Sequence, residues 1–454
     1  MTEERTEFSG LWKQIFYSIV VAAAKFDVGF TIGWTAVLPK IQADNTTSLA
    51  VPDAHVPWIV SMPGIAGVVM TLATMPGMEA LGPRKFLFII LLPAGIPWLV
   101  QAFTPYLSLL YLGRVVSCFI YIALGPVTAV LVAEISEPRI RGLLLSAEEI
   151  TVAIAQMAIY IMAHSLPWDV ATAACAAPMI LVAALTFFVP ESPYWLIRRG
   201  QKDAALESLK KLRSPKQDVN LELQEISANV QGTSQPSIWD QIKQLARPQN
   251  YRPVLLLAAV FILRELGGQH VVFSYTVYMF QKAGVGLDAF VCTILVGVVR
   301  LVFTVVSAAV VDRVGRRPLL IATSFVCGAA EVVGAVFLLV DVPGSSWVPL
   351  AAVLVFVSSY GLGIGPIPWA LLGELIPTPV RSIGSSVCIM NFSIFTFVTS
   401  FIFSYLLEIG LGFAFVFFAS AHALLTLLFC AFLPETRGRS LSDLEDIFKS
   451  TSGN

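Results

Sequence analysis

Charge is what this 454-residue sequence has least of. Asp, Glu, Lys and Arg make up 13% of it while 56% is hydrophobic, against roughly 25% charge in soluble domains. A water-soluble chain this apolar could not cover its own surface, so the bilayer is its expected solvent. A formal net charge of −1 excludes a broad field for nucleic acid. Cysteine is scarce too. Cys118, Cys175, Cys292, Cys327, Cys388 and Cys430 all fall in apolar runs at no metal-ligand spacing, and read as small hydrophobes rather than a disulfide framework. There is no Ser-His-Asp arrangement and no phosphate loop. "GVGLDAF" lacks the strand and helix that a nucleotide fingerprint needs. Neither an enzyme nor an ATP-driven pump is expected, and no cofactor or metal. The acidic start "MTEERTEFSG" is not followed by a short apolar region with a cleavage site, so the first helix is expected to remain.

What is there is long apolar helices. A helix needs about 20 apolar residues to cross the hydrocarbon. Twelve runs qualify: 14–38, 56–77, 86–103, 107–134, 143–165, 169–189, 253–281, 286–311, 318–341, 346–373, 381–407 and 411–433. The predicted fold class is an all-α membrane protein of two six-helix bundles, 14–193 and 253–433. A polar insert, 194–252, separates them, and its "KDAALESLKKLR", "LELQEISANV" and "SIWDQIKQLARP" read as short amphipathic helices. Residues 1–13 and 434–454 are polar ends.

Lys and Arg set the orientation. Arg84, Lys85, Arg139, Arg141, Arg313, Arg316, Arg317 and Arg381 all follow even-numbered spans, on the side of the insert and both termini. The opposite loops carry only Lys40 and Lys282. Termini and insert are therefore expected in the cytosol. The sequon Asn45-Thr46-Thr47 lies on the outer side, where glycosylation would occur; chance produces such triplets too. Plasma membrane is the expected location, and a monomer in lipid the default state.

Three elements recur in the two halves. Glu79…Gly82-Pro83-Arg84-Lys85 answers Asp312-Arg313-Val314-Gly315-Arg316-Arg317. Glu134…Arg141 answers Glu374…Arg381, and Pro190-Glu191-Ser192 answers Pro434-Glu435-Thr436. A repeat of two six-helix halves is an architecture of alternating-access carriers. In "PESPYWLIRRG", "DRVGRRPLL", "GIGPIPWALLGELIP" and "LPETRGRSL" the chain resembles the sugar porter family of the major facilitator superfamily, over nearly its whole length. Its loop pattern and insert look most like animal facilitators, including insect trehalose and glucose carriers.

The resemblance implies a cytosolic latch. Glu134, Glu374 and Asp312 would pair with Arg141, Arg381 and Arg316 or Arg317 when the chamber faces outward, and release when it faces inward. The bland alternative is a solvated helix cap with a topology signal. The amino-terminal counterpart is degenerate: Glu79 stands for the family's aspartate, Ala80 replaces an arginine ahead of Arg84, and Pro83 stands at another arginine position.

Ionisable residues inside spans are costly and normally face a cavity or a partner. The run "FILRELGGQHVVF" puts Arg264, Glu265 and His270 in such a place, after an uncharged stretch from Pro253 to Leu263. By resemblance these stand where sugar porters carry amides in span seven. Glu149 and Arg300 replace further amides in spans five and eight, and Trp369 is retained for stacking on a ring. Neutral amides match hydroxyls because they both donate and accept. A charged set either grips a charged or zwitterionic solute, or neutralises itself around a modified sugar cavity. Lys25 and Glu148 fit a loop or headgroup contact best, and Glu331 and His422 read as local packing. Asp27 and Arg114 match a family pair linked to proton coupling; a permanent structural ion pair is the alternative.

The expected function is carriage of a small polar solute, a sugar by default, facilitative or coupled to protons. An organic ion or zwitterion carrier on the same fold is the alternative. A non-transporting membrane sensor is the second, though the tail "LEDIFKSTSGN" leaves little room for signalling.

Overall fold

The computed structural model describes residues 2–44, 49–214, 217–231, 238–340 and 344–437. Asn45 lies outside them, as does the side chain of Asp312. Twelve segments are long and apolar enough to cross a membrane. The first six are Leu11–Ala43, Asp53–Leu81, Pro83–Phe103, Leu107–Ile135, Pro138–Ser165 and Trp168–Thr186. The second six are Pro248–Ser274, Ala289–Val311, Arg316–Val340, Val348–Leu375, Thr378–Ile409 and Leu411–Phe432. The chain is thus an all-helical, multi-pass integral membrane protein. Helices Pro193–Arg198, Lys202–Leu212, Val219–Gln231 and Ile238–Leu245 lie between the halves. The seventh span starts earlier than its apolar run, because Pro248 is accommodated at the first helical turn, where no N–H is needed.

Each repeated motif turns out to contact the others of its own half. The backbone turns at Gly82 (φ 92°) and Gly315 (φ 101°), values that favour glycine. Behind the first turn, Glu191 accepts the N–H of Arg84 (2.9 Å) and Lys85 (3.2 Å). Behind the second, Glu435 accepts those of Arg316 and Arg317 (both 3.1 Å). Next in sequence, Ser192 donates to Glu134 and Thr436 donates to Glu374 (2.6 Å). One carboxylate per half thus closes the exposed start of a helix with charge-assisted bonds.

The halves meet along two seams. The second span packs on the eleventh, where Gly64 and Gly67 let it approach the backbone at Phe397 and the side chain of Ser393. The fifth packs on the eighth, with Gly297 against Met157 and Tyr160. Small residues at such crossings are the usual route to close packing in lipid.

Besides the third span, interrupted at Leu92–Ala94, and the sixth, at Cys175, three broken spans border the polar centre. The first is interrupted at Ala24-Lys25 and tightens to a 3-10 turn at Trp34–Val37. The seventh stops at Leu266, resumes at Gln269 after the left-handed Gly268 (φ 74°), and breaks again at Tyr275. The tenth widens into a π-turn over Tyr360–Ile364 before Gly365-Pro366. Each break frees carbonyls that need partners from outside the helix.

Candidate functional site

Those carbonyls organise the polar centre. Arg264 donates its Nε to Ile364 O (3.0 Å) at the tenth-span break and an Nη2 to the Tyr360 hydroxyl (3.2 Å). Its Nη1 meets Glu265 Oε1 at 2.7 Å, and Glu265 in turn accepts from Thr396 (3.1 Å) on the eleventh span. Arg264 is thus neutralised by its sequence neighbour, both side chains being buried. The guanidinium also lies over three rings, Tyr360 (5.7 Å), Trp369 (5.9 Å) and Phe392 (5.8 Å). Trp369 packs edge-on against Phe261 and Phe392 and stays half-buried, keeping part of the indole open.

Arg300 crosses from the eighth span to the fifth and donates to Gln156 Oε1. Gln156 escaped the sequence reading, because a lone glutamine in an apolar helix carries no local signal. Its amide donates to Tyr160 Oη (2.6 Å), and Tyr160 donates to Phe273 O (2.7 Å), a carbonyl just ahead of the Tyr275 break. Arg300 lies over Phe273 (4.5 Å) and Tyr360 (5.8 Å). His270 contacts Ser274 (3.1 Å) and sits within electrostatic reach of Arg114, Arg264 and Arg300. Glu149 is half-buried and forms no hydrogen bond or ion pair among the described residues.

Asp27 and Arg114 do not form the expected pair. Asp27 Oδ1 accepts the Trp98 indole N–H (2.8 Å), and its Oδ2 is sealed off with no partner. Arg114 lies over Trp34 (5.1 Å) and donates to Thr31 O (2.8 Å), leaving Nη1 sealed and unpartnered. The first span's freed backbone competes for the guanidinium. Lys25 and Glu148 are likewise corrected. They reach neither loop nor headgroup, but form a buried ion pair (3.4 Å) that Thr128 supports (3.0 Å). Glu331 and His422 are a buried pair as well (2.9 Å).

The motif residues near the termini meet partners in their own half or on the helix Pro193–Arg198 that follows the first half. Glu134 meets Arg198 (3.5 Å), as does Glu79 (3.8 Å). Arg141 donates to Ser136 O (3.3 Å), and Arg84 to Thr186 O (3.3 Å) and Phe187 O. Glu374 meets Arg316 (3.4 Å), Arg381 donates to Ile376 O (3.4 Å), and Arg317 to Cys430 O (2.7 Å). The Glu134–Arg141 and Glu374–Arg381 pairs expected of the outward-facing state are not formed here; both arginines donate to backbone carbonyls, while Glu134 meets Arg198 and Glu374 meets Arg316. Polar contacts join the halves at mid-depth and at the opposite end. There Tyr278 donates to Gln42 (2.7 Å), His164 approaches Asp288 (3.8 Å), and Lys40 lies over Phe290 (5.3 Å). These contacts hold the halves shut at the face away from the termini.

Comparison with known proteins agrees with this geometry. The family model "Sugar (and other) transporter" matches residues 17–448. The facilitated trehalose transporter Tret1 of Culex quinquefasciatus is 29% identical over 441 residues, covering 96% of this chain and 85% of that protein. Tret1 of Anopheles gambiae is 30% identical over 446 residues, 96% of this chain but only 56% of that longer protein. The sugar transporter ERD6-like 6 of Arabidopsis thaliana is 28% identical, covering 95% of this chain and 89% of that protein. Among solved structures, the proton:xylose symporter XylE bound to 6-bromo-6-deoxy-D-glucose superposes with a TM-score of 0.79 at 22% identity, covering 96% of this chain and 99% of that one. The inward open conformation of XylE from E. coli gives 0.78 at 20% identity, covering 95% and 99%. At these identities the structures speak for the fold, which is that of the major facilitator superfamily.

Proposed function

This chain belongs to the sugar (and other) transporter family, and on that premise we propose that it carries a sugar or sugar-like polyol across a membrane by alternating access. One observation carries the reading: the breaks of the seventh and tenth spans meet around Arg264, Tyr360 and a half-buried Trp369. A carrier site needs an open aromatic face beside donors that are already oriented, so that binding does not have to order them. Glu149, Arg264, Glu265, His270, Arg300 and Trp369 form the solute site in this reading, with Gln156 added. The motif residues at the terminal end, Glu79, Arg84, Glu134, Arg141, Asp312, Arg316, Arg317, Glu374 and Arg381, form the gate. Termini in the cytosol and a plasma-membrane location are part of the same proposal. Uptake of labelled hexoses, trehalose and sugar derivatives, glucuronate among them, into proteoliposomes tests it; a purified, monodisperse chain that takes up none of them sinks it.

Asp27 favours a second element, coupling to protons. Its unpartnered Oδ2 is a carboxylate oxygen with no donor in a sealed apolar interior. A proton there removes a charge that Arg114, held by Thr31 O, does not directly neutralise. Accumulation driven by a pH gradient that vanishes in Asp27→Asn, while exchange between equal pools survives, supports coupling. Uptake indifferent to pH in the unmodified chain removes it.

A further inference from the structure

Arg300 forms no ion pair with a carboxylate among the described residues. Arg264 has Glu265 at 2.7 Å and Lys25 has Glu148 at 3.4 Å. Asp27 and Arg114 balance each other in number and lie within electrostatic reach. His270 adds no negative charge. Glu149 stands seven residues from Gln156 on the fifth span, about 10 Å away along the helix axis, and forms no ion pair with Arg300. A buried guanidinium without a counter-ion is expensive within a membrane, and its retention points to a partner that arrives from outside the chain.

The arginine is also presented for a ligand. Gln156 takes one of its N–H groups, and the faces of Phe273 and Tyr360 hold its plane. The chain Gln156–Tyr160–Phe273 O fixes the amide that fixes the arginine. Its Nε and Nη2 carry no partner among the described residues, yet neither is a sealed atom as Arg114 Nη1 is. Arg300 as a whole is buried, 5% exposed, and these two atoms share what exposure remains. Tyr360 accepts from Arg264 through its hydroxyl oxygen, which leaves the hydroxyl hydrogen free to donate. One free guanidinium edge, Nε and Nη2, matches the two oxygens of a carboxylate, and the phenol adds a further donor.

We infer that the solute selected by this chamber is a sugar acid, whose carboxylate is received by Arg300 while its hydroxyl-bearing ring lies against the Trp369 side. The inference rests on the carrier reading above and narrows it to a monoanionic polyol. Glu149, an acceptor with no partner of its own, suits a hydroxyl at the other end of such a solute.

The test uses the full chain in proteoliposomes with labelled glucuronate, glucose and glucose 6-phosphate. At equal, low concentrations glucuronate uptake should exceed glucose uptake by about tenfold or more, the ratio expected of one charge-assisted contact set against a neutral one. Arg300→Gln should lower glucuronate uptake by a similar factor and shift preference toward glucose. Arg300→Lys, which keeps the charge and loses the fork, should fall between. Glucose taken up with no inhibition by excess glucuronate overturns the inference and leaves sugar carriage standing. So does glucuronate uptake unchanged in Arg300→Gln, and so does preference for glucose 6-phosphate, a dianion. Uptake of none of the three by correctly folded protein overturns carriage itself. If the Gln variant does not fold, competition between glucose and glucuronate in the unmodified chain decides alone.

Discussion

His422 occupies the space that a side chain at residue 267 would need: its Cε1 lies 2.4 Å from where a Cβ on Gly267 would sit. The imidazole is held there by Glu331 at Nδ1 (2.9 Å) and faces Phe356 edge-on. The break of the seventh span is therefore backed by the ninth and twelfth spans, and packing alone requires the glycine at 267, whose φ of −70° any residue adopts.

Gly267→Ala is expected to lower stability by about 1–3 kcal/mol through overpacking. The loss should shrink in a His422→Ala background, because the clash is then gone. Thermal unfolding of the four proteins in detergent measures both. Equal losses in the two backgrounds would show that the imidazole is not what excludes the methyl group.

Lys25 and Glu148 predict a different pattern. Removing one partner leaves a buried charge alone, so Lys25→Met should cost about 3–5 kcal/mol. Replacing both with Met should cost far less, since neither charge then needs a partner. A double variant as unstable as the single one contradicts the pairing.

Tyr278 and Gln42 bridge the halves at the shut face, 236 residues apart in sequence. Tyr278→Phe removes one hydrogen bond and should shift the population toward opening there by about two- to tenfold. Spin labels at residues 43 and 282 report the distance between the two sides. An unchanged distance distribution would mean that this bond does not bias the equilibrium.

Glu435 gives a pH dependence. Burial works against its charged form, but the backbone N–H groups of Arg437, Arg316, Arg317 and Thr436 outweigh it and hold the carboxyl below the usual 4.5. The folded value is depressed, so the stabilisation is present above the ordinary value and lost as pH falls through the folded one. Hydrogen exchange at Arg316 and Arg317 should accelerate in that acidic window. Glu435→Gln should show fast exchange at every pH, and persistent protection in it would refute the account.

Much of this was legible in the amino-acid sequence, for identifiable reasons. Span number follows from runs of about 20 apolar residues, which need no tertiary information. The paired motifs were recognisable because they recur, and the structure adds that Glu191 and Glu435 cap equivalent turns. The intramembrane charges Arg264, Glu265, His270 and Arg300 stood out against apolar neighbours, and all four are buried. Gln156 gave no such contrast. Its role exists only because Arg300 reaches it from a helix 144 residues away in the chain.

Composition and periodicity by themselves determined that the chain lives in lipid as two repeated six-helix halves, because desolvating backbone forces apolar segments to be helical whatever they pack against. Only the tertiary structure decided who pairs with whom: Arg264 with its neighbour Glu265, Lys25 with Glu148, Arg114 with Thr31 O instead of Asp27. Those choices depend on where three helices break and which carbonyls the breaks release, and competition for a guanidinium within a few ångströms is settled by positions that no local pattern encodes.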